Sequence, residues 1–396
     1  MKICFLGCLD DLLLKDTGAS IRIYYLAKGL AELGHEVHIV IPGDKELFEW
    51  TNKVIVHSVS GLLPYWVLRF FSRLVGVSKA ISLFLYDFSF ILRSRHIILS
   101  SDIIQTEGAV SSALITLFVK KIFNRPIIVD SHDIFQALRI QYRSSLRKII
   151  EIFLEKITYK HAELILAVSE KDKELLIKYG DCQNRVMVIP NGVDTEAFTP
   201  SLDATKIHTR FNLKDFYRVI FVGNMEYLPN QEAADIIVSR IVPRVLSQIS
   251  NVKFLMVGRV KPQLLTNSSD VIFTGVVEDV AELLGTSDIA IAPLLQGSGT
   301  RLKVLEYFSC GLPVVSTSIG AEGLDVENGV NILIEDSMDK FAIKVIDLLM
   351  NKDLRVRLGE AARELAMKEY DWRIIGKQLD KVYSLINYDE RVRNKN

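Results

Sequence analysis

The chain has 396 residues, of which 48 are basic, 48 are acidic and 49% are apolar. This length favours two domains over one, and the lack of a basic excess argues against a nucleic-acid-binding protein. Cys4, Cys8, Cys182 and Cys310 fit neither the spacing of a zinc site nor a secreted disulfide framework. No uncharged apolar run is long enough to cross a bilayer, and the N-terminal apolar run is too short for a signal peptide. We therefore expect a cytoplasmic protein with reduced thiols.

Strand and helix patterns alternate through the first half of the chain. Residues 2–7 predict a buried strand, and a helix follows with Ile23, Leu26 and Leu30 on one face and Gly34 after its end. Further strands are predicted at residues 37–41, 54–59, 103–106, 127–130, 164–168 and 186–189. This alternation is typical of a parallel sheet with helices on both faces.

A Pro-Asn-Gly sequence at residues 190–192 interrupts the pattern, and a polar stretch follows it. A second series of strands is predicted at residues 219–222, 254–257, 271–274, 289–292, 314–316 and 332–334. The chain is predicted to be helical from about residue 337, and Trp372 begins a final helix. We predict two Rossmann-like doubly wound α/β domains, 1–198 and 199–370, that face each other across a cleft. The C-terminal helix and tail, 371–396, are expected to pack back toward the first domain. Ligands of such folds bind at the carboxyl ends of the strands.

The most informative motif is the glycine-bearing loop and short helix within residues 296–316. Arg301 and Lys303 lie in the first predicted helical turn, and Glu306 follows one turn later. A helix N-terminus attracts anions through its free N–H groups, and two cations at the same place strengthen that attraction. A carboxylate one turn further on suits the paired hydroxyls of a ribose. The segment therefore predicts a nucleotide-diphosphate site.

Two other residues follow predicted strands of the first domain. Gly18 precedes a helix and either lets backbone approach a ligand or simply forms a strand-to-helix turn. His132, between Ser131 and Asp133, could act as a base, bind a sugar hydroxyl or cap a helix, and its position at the end of a strand favours a functional role. Glu107 also ends a predicted strand, where it could line the cleft or begin a helix.

Two kinds of cofactor site are not supported. The sequence has no G-x-G-x-x-G motif, so a dinucleotide redox cofactor is not expected. It also has no Asp-x-Asp pair to hold a divalent metal on a diphosphate. We therefore predict no metal and no cofactor, and protein cations would have to neutralise the diphosphate.

The segment from Leu62 to Arg95 combines many aromatic side chains with arginines and a lysine. Aromatic and basic residues together on short helices suit an anionic membrane surface. The alternative is that these aromatic side chains belong to an ordinary core. We predict that this segment binds an anionic membrane.

Taken in order along the chain, these motifs resemble those of the retaining glycosyltransferases of the GT-B fold, glycosyltransferase family 4. The loop places the chain near a Gly-Ser-Gly-Thr-Arg variant subgroup associated with surface polysaccharide and glycan assembly. The matching segments are Gly18 with its following helix and residues 130–133, 168–170, 189–194, 221–224, 275–277 and 305–315. Together they span nearly the whole chain.

The resemblance implies a nucleotide-diphosphate sugar as donor and transfer with retention of the anomeric configuration. Glu306 matches the glutamate that holds the ribose, and Leu302 and Lys303 match backbone positions that touch the diphosphate. Val277 matches the position beside the base. Gly18 and His132 match, respectively, the glycine loop near the transferred group and the histidine that contacts the donor sugar.

The chain departs from the family pattern at two places. The family's first glutamate, eight residues before the ribose glutamate, is replaced by Ser298. The arginine after the glycine of Phe-Val-Gly is replaced by Asn224, and no lysine follows five residues later. We infer that Arg301 and Lys303 supply the missing positive charge.

These arguments define the predicted site. The catalytic residues are His132, Arg301 and Lys303. The donor-binding residues are Gly18, Asn224, Val277, Gly297, Ser298, Gly299, Thr300, Leu302 and Glu306.

The predicted function is a hexosyltransferase that acts on a lipid-linked or other glycan acceptor in polysaccharide biosynthesis. The protein is expected to be peripheral on the inner face of the cell membrane. The alternatives are a nucleotide-sugar epimerase or hydrolase of the same fold and a non-catalytic, nucleotide-sugar-binding partner subunit.

Overall fold

A computed structural model describes residues 1–7, 17–43, 48–51, 53–59, 88–110, 112–131, 146–180, 182–200, 211, 213–260, 268–297 and 300–393. The chain forms two compact units. The first comprises Met1–Pro190 together with Ile375–Asn396, and the second comprises Asn191–Ile374. Most of the predicted membrane segment between Leu62 and Arg95, and the site residues His132, Ser298 and Gly299, lie outside the described residues.

The first unit contains an eight-stranded sheet in the order β3-β4-β2-β1-β5-β6-β7-β8. Its strands are β1 (Lys2–Leu6), β2 (Glu36–Pro42), β3 (Phe48–Thr51), β4 (Val54–Val59), β5 (Ile103–Glu107), β6 (Ile127–Ser131), β7 (Leu164–Ala167) and β8 (Val186–Val188). Neighbouring strands are parallel except β3, which pairs antiparallel with β4 at the edge of the sheet. The seven predicted strands of this unit are present. β3, whose Phe-Glu-Trp-Thr sequence alternates apolar and polar residues over only four positions, was not predicted.

The helices of the first unit are α1 (Gly18–Glu32), α2 (Arg95–Ser100), α3 (Ala113–Phe118), α4 (Leu146–His161) and α5 (Glu170–Gly180), with a π-helical turn at Val119–Phe123. α1 begins where the sequence predicts, because Thr17 and Ser20 form a capping box around its first turn. It ends before Gly34, whose φ of 95° suits glycine.

The second unit contains six parallel strands in the order β11-β10-β9-β12-β13-β14. They are β9 (Tyr217–Val222), β10 (Val252–Val257), β11 (Val271–Gly275), β12 (Ile289–Ala292), β13 (Val314–Ser316) and β14 (Leu333–Ile334). The helices are α6 (Leu228–Ile236), α7 (Val242–Leu246), α8 (Val280–Gly285), α9 (Leu302–Ser309), α10 (Met338–Met350) and α11 (Lys352–Glu369), with a π-helical turn at Ile237–Ile241. All six predicted strands of this unit are present.

The sheet of the second unit is covered on both faces. Val219 and Phe221 of β9 pack into one apolar cluster, whereas Ile220 between them packs into another. Alternate residues of a strand point to opposite faces, so apolar residues throughout the strand require helices on both sides. The predicted doubly wound α/β class is therefore confirmed.

A last helix, α12 (Trp372–Arg393), begins at the predicted residue. From Ile375 onward its residues belong to the first unit. Ile375, Leu379 and Tyr383 are fully buried there. Gly376 permits close packing, because a Cβ at this position would lie 3.2 Å from the Cα of Gly29 in α1. Among the helices that the structure describes, none is long and apolar enough to span a membrane.

Candidate functional site

Strand order indicates the ligand position in the second unit. β9 pairs with β10 on one side and with β12 on the other, so the chain switches direction across the sheet between β9 and β12. In open α/β sheets, ligands bind outside the carboxyl ends of the strands at such a switch. The loops that follow β9 and β12 hold residues 223–227 and 293–301, which include the motif singled out from the sequence.

Two glycines hold the loops after β9 and β10 against each other. Gly258 has a φ of +125°, and a Cβ built on it would lie only 2.2 Å from the carbonyl oxygen of Gly223. The Gly223 N–H donates to the Val257 carbonyl at 2.9 Å, which continues the strand pairing into the loops. Backbone thus fills the place where a side chain at residue 258 would stand.

Helix α9 presents one polar face and one buried face. Arg301 precedes its first turn, and Val304, Leu305, Tyr307 and Phe308 are fully buried. The Tyr307 hydroxyl accepts a hydrogen bond from the Val222 N–H at 2.8 Å, so α9 is fastened to the end of β9. Lys303 and Glu306 are only partly buried and, being three residues apart, lie on the same face of the helix.

Lys303 reaches across to the loop after β9. Its Nζ donates to Asn230 Oδ1 at 2.7 Å and lies 4.5 Å from the centroid of the Phe221 ring. The pKa of the Lys303 ammonium is lowered to about 7, first by burial and then by the Arg301 charge, while Glu306 opposes both. A bound anion would stabilise the protonated ammonium, because its charge offsets the cost of burying the positive charge.

Glu306 shows the opposite effect. Burial raises the pKa of its carboxyl to about 7, and Lys303 opposes that rise. A carboxyl group beside an ammonium can accept hydrogen bonds from vicinal hydroxyls while the ammonium faces a diphosphate. The pair therefore suits the ribose and diphosphate parts of one nucleotide.

Arg301 lies against the loop after β12. Gly297 has a φ of +133°, which favours glycine, and a Cβ built on it would lie 2.6 Å from Arg301 Nη2. Thr300, which precedes it, is buried. The structure thus brings Gly297, Arg301, Lys303 and Glu306 to the same end of the sheet.

The other predicted donor-binding residues occupy different surroundings. Asn224 is exposed, and its Oδ1 accepts from the Glu226 N–H at 3.0 Å, which shapes the turn after β9. Val277 follows β11 and packs against a buried cluster. Leu302 is the first residue of α9. Gly18 is the first residue of α1 and belongs to the other unit.

A buried polar cluster in the first unit was not predicted. Arg22 of α1 donates from Nε to Asp130 Oδ2 at 2.7 Å and from its terminal nitrogens to the carbonyls of Ile189 and Pro190, at 2.8 Å each. Burial and then the neighbouring Asp130 raise the pKa of the Glu107 carboxyl well above its usual range. Glu107 ends β5 and is not at the start of a helix. A sequence signal for Arg22 did exist, since it is a charge within an apolar helical face.

Within the part of the chain that the structure describes, no group of three or more histidine, cysteine, aspartate or glutamate side chains could hold a metal ion. Two residues border the Lys303 ammonium: Phe221, which the sequence marked only as part of the 221–224 segment, and Asn230, which carried no sequence signal of its own. Asn230 is 73 residues from Lys303, so only the folded structure reveals the contact.

Both halves of the chain resemble known protein families. Residues 17–197 match the family model described as Glycosyltransferase Family 4, and residues 217–351 match the one described as Glycosyl transferases group 1. The chain is 24% identical over 387 residues to the phosphatidylinositol N-acetylglucosaminyltransferase GPI3 subunit of Saccharomyces cerevisiae, covering 93% of the chain and 80% of that protein. It is 27% identical to the UDP-Gal:alpha-D-GlcNAc-diphosphoundecaprenol alpha-1,3-galactosyltransferase of Escherichia coli, covering 74% of the chain and 76% of that protein.

Solved structures share the fold. Sucrose-phosphate synthase from Thermosynechococcus elongatus superposes with a TM-score of 0.77 at 18% identity, over 98% of the chain and 99% of that structure. Anabaena Alr3699/HepE in complex with UDP and glucose superposes with a TM-score of 0.74 at 16% identity, over 97% and 99%. These similarities confirm the predicted GT-B fold.

Proposed function

Because the chain belongs to the GT4-type glycosyltransferases, we propose that it transfers a sugar from a nucleotide-diphosphate sugar to an acceptor, with retention of the anomeric configuration. The observation that carries this proposal is the grouping of Arg301, Lys303 and Glu306 at the switch point between β9 and β12. Glu306 binds the ribose hydroxyls, and Lys303 and Arg301 face the diphosphate. The roles of Gly18, His132 and Val277 toward the donor sugar and base stay predictions.

In the proposed reaction, the bond between the anomeric carbon and the diphosphate oxygen breaks, and the acceptor oxygen bonds to that carbon on the same face. The acceptor's proton passes to the departing phosphate oxygen. Arg301, Lys303 and the N–H groups at the start of α9 stabilise the negative charge that grows on the diphosphate. A charge-assisted hydrogen bond contributes about 1.5–3 kcal/mol, so two or three of them supply a large share of the rate gain.

We propose that the acceptor is a lipid-linked glycan and that the protein acts peripherally on the inner face of the cell membrane. The names of two relatives support this acceptor class, since one includes phosphatidylinositol and the other diphosphoundecaprenol. The aromatic and basic residues between Leu62 and Arg95 would supply the membrane contact.

The test uses purified full-length protein, a panel of sugar-labelled UDP and GDP donors, and a membrane lipid extract. We expect label to enter the lipid fraction. NMR of the product should show the same anomeric configuration as in the donor. Turnover should persist in a chelator, because protein cations neutralise the diphosphate; loss of turnover that magnesium restores would contradict this part. Glu360→Gln, an exposed glutamate on α11, is the matched control for Glu306→Gln.

A second candidate is a nucleotide-sugar-binding partner subunit without activity of its own. It is favoured by the name of the yeast relative, which is a subunit, and by the departures at Ser298 and Asn224. Donor binding without turnover of any donor would support this candidate over the enzyme. Release of free labelled sugar alone would indicate a hydrolase, and a donor with an altered sugar would indicate an epimerase.

A further inference from the structure

Both the oxygen and the nitrogen of the Asn230 side-chain amide form hydrogen bonds. It lies in the first turn of α6, where its Oδ1 accepts from Lys303 Nζ at 2.7 Å. Its Nδ2 donates to the carbonyl of Asn224 at 3.0 Å. Because one end of the amide meets an ammonium and the other a carbonyl, the orientation of the side chain is determined.

Two further groups, Gly223 and Phe221, border the ammonium. A Cβ on Gly223 would lie 2.8 Å from Lys303 Nζ and 3.0 Å from Asn230 Cγ. The Phe221 ring borders the ammonium at 4.5 Å from its centroid. Asn230, Phe221 and Gly223 therefore hold the charge at the carboxyl end of β9.

We propose that Asn230 is a positioning residue, which holds the Lys303 ammonium where a diphosphate meets it and keeps it protonated without neutralising its charge. The position of the diphosphate rests on the proposed function, whereas the effect on Lys303 does not. A neutral oxygen acceptor favours the charged form of its donor. An aspartate in its place would form an ion pair and repel phosphate.

Neighbouring charges and burial also influence the protonation of Lys303. Arg301, just before α9, disfavours the ammonium, and Glu306, on the same face of α9, favours it. Burial is the largest influence, and with these charges the Lys303 pKa lies at about 7. The amine is therefore poised where loss of one hydrogen bond changes its charge at neutral pH.

Two variants of Asn230 should shift the Lys303 pKa in opposite directions. Asn230→Ala removes the acceptor and should lower the Lys303 pKa, whereas Asn230→Asp should raise it. Both should weaken nucleotide binding, the first through loss of charge and position, and the second through repulsion. A fall of one pKa unit reduces the protonated fraction above pH 7 by about tenfold, and affinity should fall by up to that factor.

The first experiment needs no nucleotide. Full-length protein is acetylated with trace acetic anhydride between about pH 6 and pH 10, and the Lys303 peptide is quantified by mass spectrometry against exposed lysines. We expect the titration midpoint to shift down in Asn230→Ala and up in Asn230→Asp, with Asn251→Ala, an exposed asparagine, as the unchanged control. Equal midpoints in all four proteins would overturn the proposal. Asn230→Asp, which keeps the size of the side chain, decides the matter if Asn230→Ala fails to fold.

The second experiment measures UDP and GDP binding by calorimetry between about pH 7.5 and pH 9, where the terminal phosphate is already ionised. We expect affinity to fall as pH rises in the unaltered protein and to be weaker at every pH in both variants. If neither nucleotide binds, the proposed function loses support while the acetylation result still decides the role of Asn230. If a nucleotide binds and the midpoints agree, the role of Asn230 is wrong and the function stands.

Discussion

At the scale of single residues, Lys303 and Glu306 are both held in forms that their surroundings penalise. Burial lowers the pKa of the lysine and raises that of the glutamate, each to about 7. Neither shift benefits the fold at neutral pH, since each reports a charged form that has lost hydration. Such side chains are retained where a bound ligand replaces the hydration that the charged groups lose on folding. Binding sites often lower the stability of the fold for this reason.

Glu306→Gln should weaken nucleoside diphosphate binding by about 10- to 100-fold, because a charge-assisted hydrogen bond to the ribose contributes about 1.5–3 kcal/mol. Calorimetry against the unaltered protein and Glu360→Gln measures this. Unchanged affinity would contradict the assigned role of Glu306.

The same variant should change how stability depends on pH. The folded-state pKa of Glu306 lies above its unfolded value, so its contribution is fully present below about pH 4.3 and is lost as pH rises through about 7. Glutamine shows no such loss. As pH rises between those values, the free energy of unfolding of Glu306→Gln should therefore increase relative to that of the unaltered protein by on the order of 1–2 kcal/mol. This range is reduced because the carboxyl is partly exposed. Urea unfolding at pH 5 and pH 8 should show it, and a constant difference would count against it.

At the scale of secondary-structure elements, the site depends on loops that only glycine can form. Gly258 and Gly329 both have positive φ, but a Cβ at Gly258 meets the carbonyl of Gly223, whereas nothing lies within 4 Å of one at Gly329. The two positions therefore separate backbone strain from steric overlap.

Gly329→Ala should cost about 1–2 kcal/mol of stability from the left-handed backbone alone and leave nucleotide binding unchanged. Gly258→Ala should cost more, because the Gly223 backbone must move, and should weaken nucleotide binding by shifting the end of β9 beneath Lys303. Chemical unfolding and calorimetry on the two variants make the comparison. Equal effects of both substitutions would show that the close approach has no part in the site.

At the scale of the whole molecule, the first unit is completed by a segment from the other end of the chain. The Tyr383 hydroxyl of α12 donates to Gln105 Oε1 in β5, and His35 meets Asp380 at 2.8 Å. Leu379, which directly precedes Asp380 in α12, is fully buried, whereas Leu385 is 59% exposed.

Leu379→Ala should cost about 2–5 kcal/mol, and Leu385→Ala under about 0.5 kcal/mol. Hydrogen exchange followed by mass spectrometry should show faster exchange in β1, β5 and α1 of the Leu379 variant and unchanged exchange in β9 to β14. Equal acceleration in both units would mean that α12 stabilises the chain more broadly than its contacts in the first unit indicate.

The predicted membrane contact is also a property of the whole molecule. Vesicle flotation should show binding to anionic lipid that weakens as salt rises, because basic residues near such a surface contribute about 1 kcal/mol each and salt screens them. Replacing Arg69, Arg73 and Lys79 with glutamine should weaken flotation further. Absence of binding at low salt would contradict the membrane proposal and would indicate an acceptor that is not in a lipid bilayer.

The sequence by itself determined the positions of thirteen of the strands, the start of α12 and the motif around α9. It could do so because apolar alternation, glycine at turns and charge at a helix start act over a few neighbouring residues. It missed β3, whose alternating pattern covers only four residues, and the partners of Lys303.

Only the tertiary structure decided which distant residues meet. Asn230 contacts Lys303 across 73 residues, and Tyr383 contacts Gln105 across 278. The pKa values of Lys303 and Glu306 likewise depend on burial by packed helices and strands. Residue type sets which chemistry is possible at a site, but desolvation and contact geometry, which arise only when the chain is packed, set how that chemistry is tuned.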